Sequence, residues 1–160
     1  MFAAGSEFPY GVTTMPTTLY WSATEEYLKM DPNAPANSMG TSVGMTIGSA
    51  CGRTAVGETL YVSSRGRFTD PPALFVVNGN SVTYVRDLDG LTYDLAADDT
   101  HLYLAYEQRI ERLPLSDLAN AQPEIVLADA EEYVGGILVD DQFFYYAEST
   151  YVGSIHKIPK

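Results

Sequence analysis

The residues of this chain best suited to bind a ligand by charge are Arg53 and Asp94. Arg53 stands at a position that is apolar in three related segments, namely Val12, Leu95 and Ile137. Asp94 stands at a position that is glycine in three related segments, namely Gly11, Gly52 and Gly136. Burying an arginine without a partner costs free energy. The two opposite charges therefore predict either an ion pair that seals a contact between segments or a pair that holds a ligand.

A second group of residues could bind through aromatic rings and carboxylates. Tyrosine combines a large apolar contact area with a polar tip, and it suits both sugar rings and protein surfaces. We predict that tyrosines and acids of one surface bind a ligand together with Arg53 and Asp94. These residues are Tyr10, Tyr93, Tyr106, Glu107, Tyr133 and Glu148. A solvated rim has a similar composition, so that alternative stays open.

The sequence has no pattern typical of catalysis or of a metal site. Cys51 is the single cysteine, so no disulfide can form within the chain, and we expect a small, partly buried thiol. His101 and His156 are expected at a turn and in a strand, where neither supports a nucleophile. The pairs 98–99 and 140–141 are aspartates, but they lack the alternating spacing of a calcium loop. We predict that they form turns, and we predict no catalytic residue, no metal and no cofactor.

A repeat that fills the chain must position these residues. Each of four short apolar runs contains a tyrosine that follows a hydrophobic residue, and these tyrosines lie 41, 42 and 42 residues apart: Tyr20, Tyr61, Tyr103 and Tyr145. Such a period is typical of repeat architectures. Every unit offers short runs of β-branched and aromatic residues separated by turn residues, which predicts short strands.

The period and the strands together predict an all-β protein, a β-propeller. It would have four blades of about 42 residues, each a four-stranded antiparallel sheet. The chain would be one domain, 1–160, with repeat units at 10–50, 51–92, 93–134 and 135–160 plus 1–9. A β-sandwich allows the same alternation but needs no internal copy. In a propeller, Arg53 and Asp94 begin innermost strands of adjacent blades, at the mouth of the central channel.

The ends of the chain bear on how the ring closes. The first nine residues align with the outermost strand of a blade, and the last unit ends after its third strand. We expect Met1–Ala4 to lie beside Ile155–Ile158 and complete the fourth blade. The alternative is an arc within a larger ring, whose apolar end faces would favour pairing with a second copy. A homodimer or a larger propeller assembly is therefore possible.

Short motifs resemble known propeller families. Leu19-Tyr20-Trp21-Ser22-Ala23 with Lys29-Met30-Asp31 resembles the YWTD repeat of receptor-type propellers, and Pro9-Tyr10-Gly11-Val12 is similar to NHL-like propellers of bacterial extracytoplasmic proteins. The resemblance implies the propeller fold, binding of proteins or carbohydrates, and an extracytoplasmic or secreted location. The aspartate position of the YWTD repeat is occupied by other residues, namely Ala23, Ser64, Tyr106 and Glu148.

Charge and composition narrow the function. The net charge is −12, from nine basic and 21 acidic residues, which argues against binding of nucleic acid or anionic membrane surfaces. No apolar run is long enough for a membrane-spanning helix. We predict a non-catalytic binding or assembly module that recognises a protein or saccharide through its tyrosine- and acid-rich loop face. The alternative is a hydrolase or lyase with its site at the channel mouth.

Overall fold

A computed structural model describes residues 9–23, 26–35, 38–45, 48–67, 69–149 and 153–160. The strands within these residues form four antiparallel sheets, and in each sheet consecutive strands are neighbours. Four sheets are the number that the predicted propeller requires. The predicted strand at Met1–Ala4 lies outside the described residues.

The first two sheets have four strands each. The first consists of β1 (Pro9–Thr14), β2 (Leu19–Ala23), β3 (Glu26–Met30) and β4 (Thr41–Met45). The second consists of β5 (Ala50–Val56), β6 (Thr59–Ser64), β7 (Ala73–Asn78) and β8 (Ser81–Asp87).

The third sheet also has four strands, and the described part of the fourth has three. The third consists of β9 (Asp94–Ala97), β10 (His101–Ala105), β11 (Ile110–Pro114) and β12 (Glu124–Leu127), with a 3₁₀ turn at Leu115–Asp117 after β11. The fourth consists of β13 (Val134–Val139), β14 (Phe143–Glu148) and β15 (Ser154–Pro159).

The repeat tyrosines occupy one register position in all four sheets. Each lies in the second strand and pairs with one residue of the first strand and one of the third. The partners are Thr13 and Lys29 for Tyr20, Thr54 and Val76 for Tyr61, Ala96 and Arg112 for Tyr103, and Leu138 and Lys157 for Tyr145. The 42-residue period therefore reflects a structural period, as predicted.

Hydrophobic cores lie between neighbouring sheets. Tyr27 packs with Leu60 and Phe75 between the first and second sheets. Equivalent cores join the second sheet to the third and the third to the fourth. The first strands of the sheets contact one another in the order β1, β5, β9, β13, so they form the inner edge of the arrangement. Among the described residues, no such core joins the fourth sheet to the first.

Candidate binding surface at the channel mouth

The loops that carry the predicted ligand residues share one end of the sheets. The Ala130 N–H donates to the Gln108 carbonyl at 2.8 Å, and the Val134 N–H donates to the Glu107 carbonyl at 2.9 Å. These bonds join the loop that enters β13 to the turn between β10 and β11. The loops between outer and inner strands therefore lie beside those between second and third strands, as predicted.

Two tyrosines from consecutive inner-strand entries meet at this end. The rings of Tyr93 and Tyr133 have centroids 4.3 Å apart and planes inclined by 71°, an edge-to-face pair. Both side chains are half-buried. Burial raises the pKa of Tyr133 above its ordinary value, and the neighbouring Tyr93, Glu107 and Cys51 raise it further. The two rings thus form one pair, and Glu107 and Cys51 lie close enough to influence the pKa of Tyr133.

Asp94 links the third sheet to the fourth. Its Oδ2 accepts a hydrogen bond from the Ile137 N–H at 3.0 Å, and its Oδ1 accepts one from the Leu95 N–H at 2.9 Å. Burial raises the pKa of Asp94, while these two N–H groups and the Arg53 cation oppose the rise. The other sheets have glycine at this position, whereas the Asp94 side chain adds a hydrogen bond to the inner strand of the next sheet.

Arg53 points the other way, towards the first sheet. Its Nη1 donates to Ser22 Oγ at 3.3 Å, and its guanidinium lies against Gly11, where it leaves no space for a side chain. Gly11 also has a φ of 53°, in the left-handed region that glycine tolerates best. Arg53 and Asp94 form no direct ion pair within the described part of the chain. Their charges still interact, and binding of one shared ligand by both stays a prediction.

The inference from sequence missed Tyr27. Its hydroxyl is buried beside Arg53 and has no hydrogen-bond partner among the described residues. Burial raises the pKa of Tyr27, the Arg53 cation lowers it and Cys51 adds to the rise. A signal was available, because the equivalent residues of the other sheets are aliphatic: Leu74, Ile110 and Ile155.

Two predicted ligand residues are not presented on the surface. Tyr106 is buried in the core between the second and third sheets, and the Arg109 guanidinium lies 4.0 Å from its ring centroid. Glu148 is also buried, with its Oε2 2.9 Å from His156 Nε2. The exposure expected for these two side chains is therefore wrong. Glu107 is exposed, and the Tyr10 side chain lies outside the described part of the structure.

His156 lies in a polar cluster that resembles a catalytic triad in composition only. Ser154 Oγ and Glu148 Oε2 both lie 2.9 Å from the same atom, His156 Nε2. A triad needs the nucleophile and the acid on opposite imidazole nitrogens, so this geometry does not activate Ser154.

The Cys51 thiol donates to the Ser49 carbonyl at 3.7 Å.

The paired aspartates shape turns at the opposite end of the sheets, as predicted. Asp98 Oδ1 accepts from the Thr100 and His101 N–H groups at 2.8 Å, and Asp140 Oδ1 accepts from the Gln142 and Phe143 N–H groups at 2.8 and 2.7 Å. The second oxygen of each accepts a hydrogen bond from the repeat tyrosine of its own sheet at 2.9 Å. Within the described residues, no three His, Cys, Asp or Glu side chains converge on a metal position.

Comparisons with known proteins find likeness in structure alone. No family model matches the sequence, and no curated protein matches it. A chain from a nidogen/laminin complex aligns with a TM-score of 0.77 at 14% identity, over 97% of this chain and 60% of that one. A gluconolactonase from Xanthomonas campestris aligns with a TM-score of 0.71 at 12% identity, over 100% of this chain and 60% of that one. The fold is a β-propeller.

A third match concerns length. The computationally designed Ika4 protein aligns with a TM-score of 0.66 at 8% identity, over 99% of this chain and 98% of that one. This chain thus spans 60% of the two natural chains and nearly all of the designed one. At these identities the likeness shows the fold alone, and the matches include both a protein in a complex and an enzyme. In the described residues, no helix has the length and apolar character needed to cross a membrane.

Proposed function

We propose that this chain is a non-catalytic binding module that recognises a protein or a saccharide through the loops at the channel mouth. The observation that carries the proposal is the edge-to-face pair of Tyr93 and Tyr133. The two half-buried rings come from different sheets, and the backbone at each is hydrogen-bonded: the Tyr93 N–H donates to the Ala105 carbonyl and the Ser149 N–H donates to the Tyr133 carbonyl, both at 2.8 Å. Such rings offer contact area at low entropic cost, because packing has already restricted them.

The polar groups around the rings favour a neutral or basic partner. Glu107, Glu131 and Glu132 are exposed beside the pair, and the chain carries a net charge of −12. A basic protein surface would complement these carboxylates, and a saccharide could stack on the rings while its hydroxyls meet the acids. The buried Tyr27 hydroxyl next to Arg53 adds an unsatisfied polar group near the mouth. We also propose that the chain binds its partner outside the cytoplasm, as the resemblance to extracytoplasmic propellers implies.

The test compares the tyrosine pair with a matched tyrosine elsewhere. The chain is applied to an oligosaccharide array and to an array of basic peptides, and affinities for the ligands found are measured by calorimetry. Tyr93→Ala and Tyr133→Ala should each weaken binding at least about tenfold, the loss typical of an interface hot spot. Tyr84→Ala is the control, because Tyr84 is an exposed tyrosine on the outermost strand β8.

Three outcomes would contradict the proposal. Ligands whose affinity is unchanged in both tyrosine variants would place binding elsewhere, and the absence of any ligand on both arrays would remove its basis. The third outcome is cleavage or elimination of a bound saccharide by the wild-type chain, detected by mass spectrometry. It would favour the alternative of a hydrolase or lyase. Tyr93→Phe and Tyr133→Phe separate stacking from hydrogen bonding, since they keep the rings and remove the hydroxyls.

A further inference from the structure

The two end sheets expose apolar side chains that the inner sheets bury. In the third strand, one register position is 1% exposed at Tyr27 and 0% exposed at Leu74 and Ile110, but 81% exposed at Ile155. In the first strand, another position is 3% exposed at Leu95 and 9% exposed at Ile137, but 65% exposed at Val12.

Strand pairing shows that these positions are equivalent. Ile155 pairs with Ala147 as Ile110 pairs with Ala105. Val12 pairs with Trp21 as Leu95 pairs with Leu104. The difference in exposure therefore comes from the neighbouring sheet and not from the strand itself.

Two surfaces follow from the register. The leading face is the side of the first sheet with Val12, Leu19, Trp21, Leu28 and Met30. The trailing face is the side of the fourth sheet with Leu138, Tyr145, Ala147, Ile155 and Lys157. At each formed contact in the chain, the trailing type of face of one sheet packs on the leading type of face of the next.

The formed contacts show how the two types of face fit. The Arg53 side chain lies over Gly11 of the preceding sheet, and the Leu95 side chain lies over Gly52. In each case a side chain of the leading face fills the space that a glycine leaves. The equivalent glycine of the fourth sheet is Gly136, and the equivalent side chain is Val12.

The trailing face has an open cavity at this glycine. The cavity has a volume of about 380 Å³, and its lining includes Gly136, Leu138, Ala147 and Ile155. Asp94 also lines the cavity, beside Gly136, but the other lining residues just named are apolar and match the exposed Val12 side chain. Since Val12 and Ile155 of one chain are both exposed, this contact is not made within the chain.

Charge adds to the complementarity. Across the first contact, Lys29 Nζ donates to the Gly79 carbonyl at 3.2 Å. Lys157 occupies the register position of Lys29. Asp31 is equivalent to Asn78, the residue before Gly79, because Met30 and Val77 occupy the same register position. The Lys157 cation would therefore meet the turn that contains the Asp31 carboxylate.

We propose that the trailing face binds the leading face of a second copy of this chain, so that two chains close one ring of eight sheets. The second copy is the occupant because it carries Val12 and Asp31 at the positions that the cavity and Lys157 require. A twofold axis then generates the contact twice, so that the leading and trailing faces of both chains are covered.

The first test is the mass of the full chain in solution, measured by light scattering over a range of concentrations. The wild-type mass should be that of two chains. Val12→Glu and Ile155→Glu should each give the mass of one chain, because either charge lies in both contacts of the ring. Ile125→Glu is the control, since Ile125 is 61% exposed on the outermost strand β12. Circular dichroism verifies that each variant is folded.

A disulfide test separates a second copy from closure of the chain on itself. Val12→Cys and Ala147→Cys are combined in one chain that also carries Cys51→Ser, which removes the native thiol, and the chain is oxidised. Pairing with a second copy gives a covalent two-chain species on a non-reducing gel, whereas closure within the chain leaves one chain and overturns the proposal. A wild-type mass of one chain at every concentration, a stable mass above two chains, or equal loss of pairing in Ile125→Glu would also overturn it.

Discussion

Ile110 in the third sheet and Ile155 in the fourth are the same residue in the same strand of their units. Each pairs with an alanine of the second strand, yet Ile110 is 0% exposed and Ile155 is 81% exposed. Local sequence and strand geometry do not distinguish them. The comparison shows that in a repeat protein a side chain is buried by the neighbouring unit. The end units therefore have apolar faces of the same kind as the buried ones, but no unit of the same chain covers them.

The largest expected effect is at Ile110. Ile110→Ala should lower the free energy of unfolding by about 2–5 kcal/mol, because it removes a fully buried side chain and leaves a cavity. Ile155→Ala, measured at a protein concentration low enough to keep chains apart, should change it by less than about 0.5 kcal/mol. Urea unfolding followed by tyrosine fluorescence measures both.

The dependence on concentration sharpens this comparison. If two chains pair as proposed, the cost of Ile155→Ala grows as the protein concentration rises, while that of Ile110→Ala stays large throughout. Equal effects of the two substitutions in dilute protein would show that Ile155 is covered within its own chain.

The next effect concerns the aspartates that bind the repeat tyrosines in the third and fourth sheets. Asp98 also forms an ion pair with Lys160, whose Nζ lies 2.5 Å from Asp98 Oδ2. Burial raises the pKa of Asp98, but the hydrogen bonds from Lys160, Thr100 and His101 outweigh burial, so the net shift of this pKa is downward. Asp98→Asn should cost on the order of 2 kcal/mol at pH 7, the value of hydrogen bonds to a charged group. Asp140→Asn should cost less, because Asp140 is exposed.

The pH dependence of this cost has a definite sign. Because the folded-state pKa of Asp98 lies below the ordinary value of 3.8, its contribution is present above pH 3.8 and is lost as the pH falls towards the folded pKa. The difference in unfolding free energy between wild type and Asp98→Asn should therefore shrink below about pH 4. A difference that stays constant down to pH 2 would contradict this role of the carboxylate.

A smaller effect than that of Asp98→Asn is expected for the coupling between Arg53 and Asp94. Arg53 binds the first sheet and Asp94 binds the fourth, so only their charges interact across the mouth. A double-mutant cycle with Arg53→Leu and Asp94→Gly, the residue types of the other units, should give a coupling of about 0.5–1 kcal/mol. A coupling above about 2 kcal/mol would instead indicate a direct pair.

Prediction from sequence succeeded where the signal repeats and was wrong about the exposure of two residues of the loop face, Tyr106 and Glu148. The tyrosines at 20, 61, 103 and 145 share one register because each run repeats the same alternation. Tyr106 was expected on the loop face, but Arg109 covers its ring and Leu113 belongs to the same core. A loop residue has no period that reveals what lies over it.

The sequence by itself determined the number of units, their strands and the face on which each strand side chain lies, because the pleat places alternate residues on opposite faces. Only the tertiary structure decided which apolar faces gain a neighbour. It also directed Arg53 towards Ser22 and left the Tyr27 hydroxyl without a partner among the described residues. These outcomes depend on contacts between sheets about 42 residues apart in the chain, which local alternation does not specify.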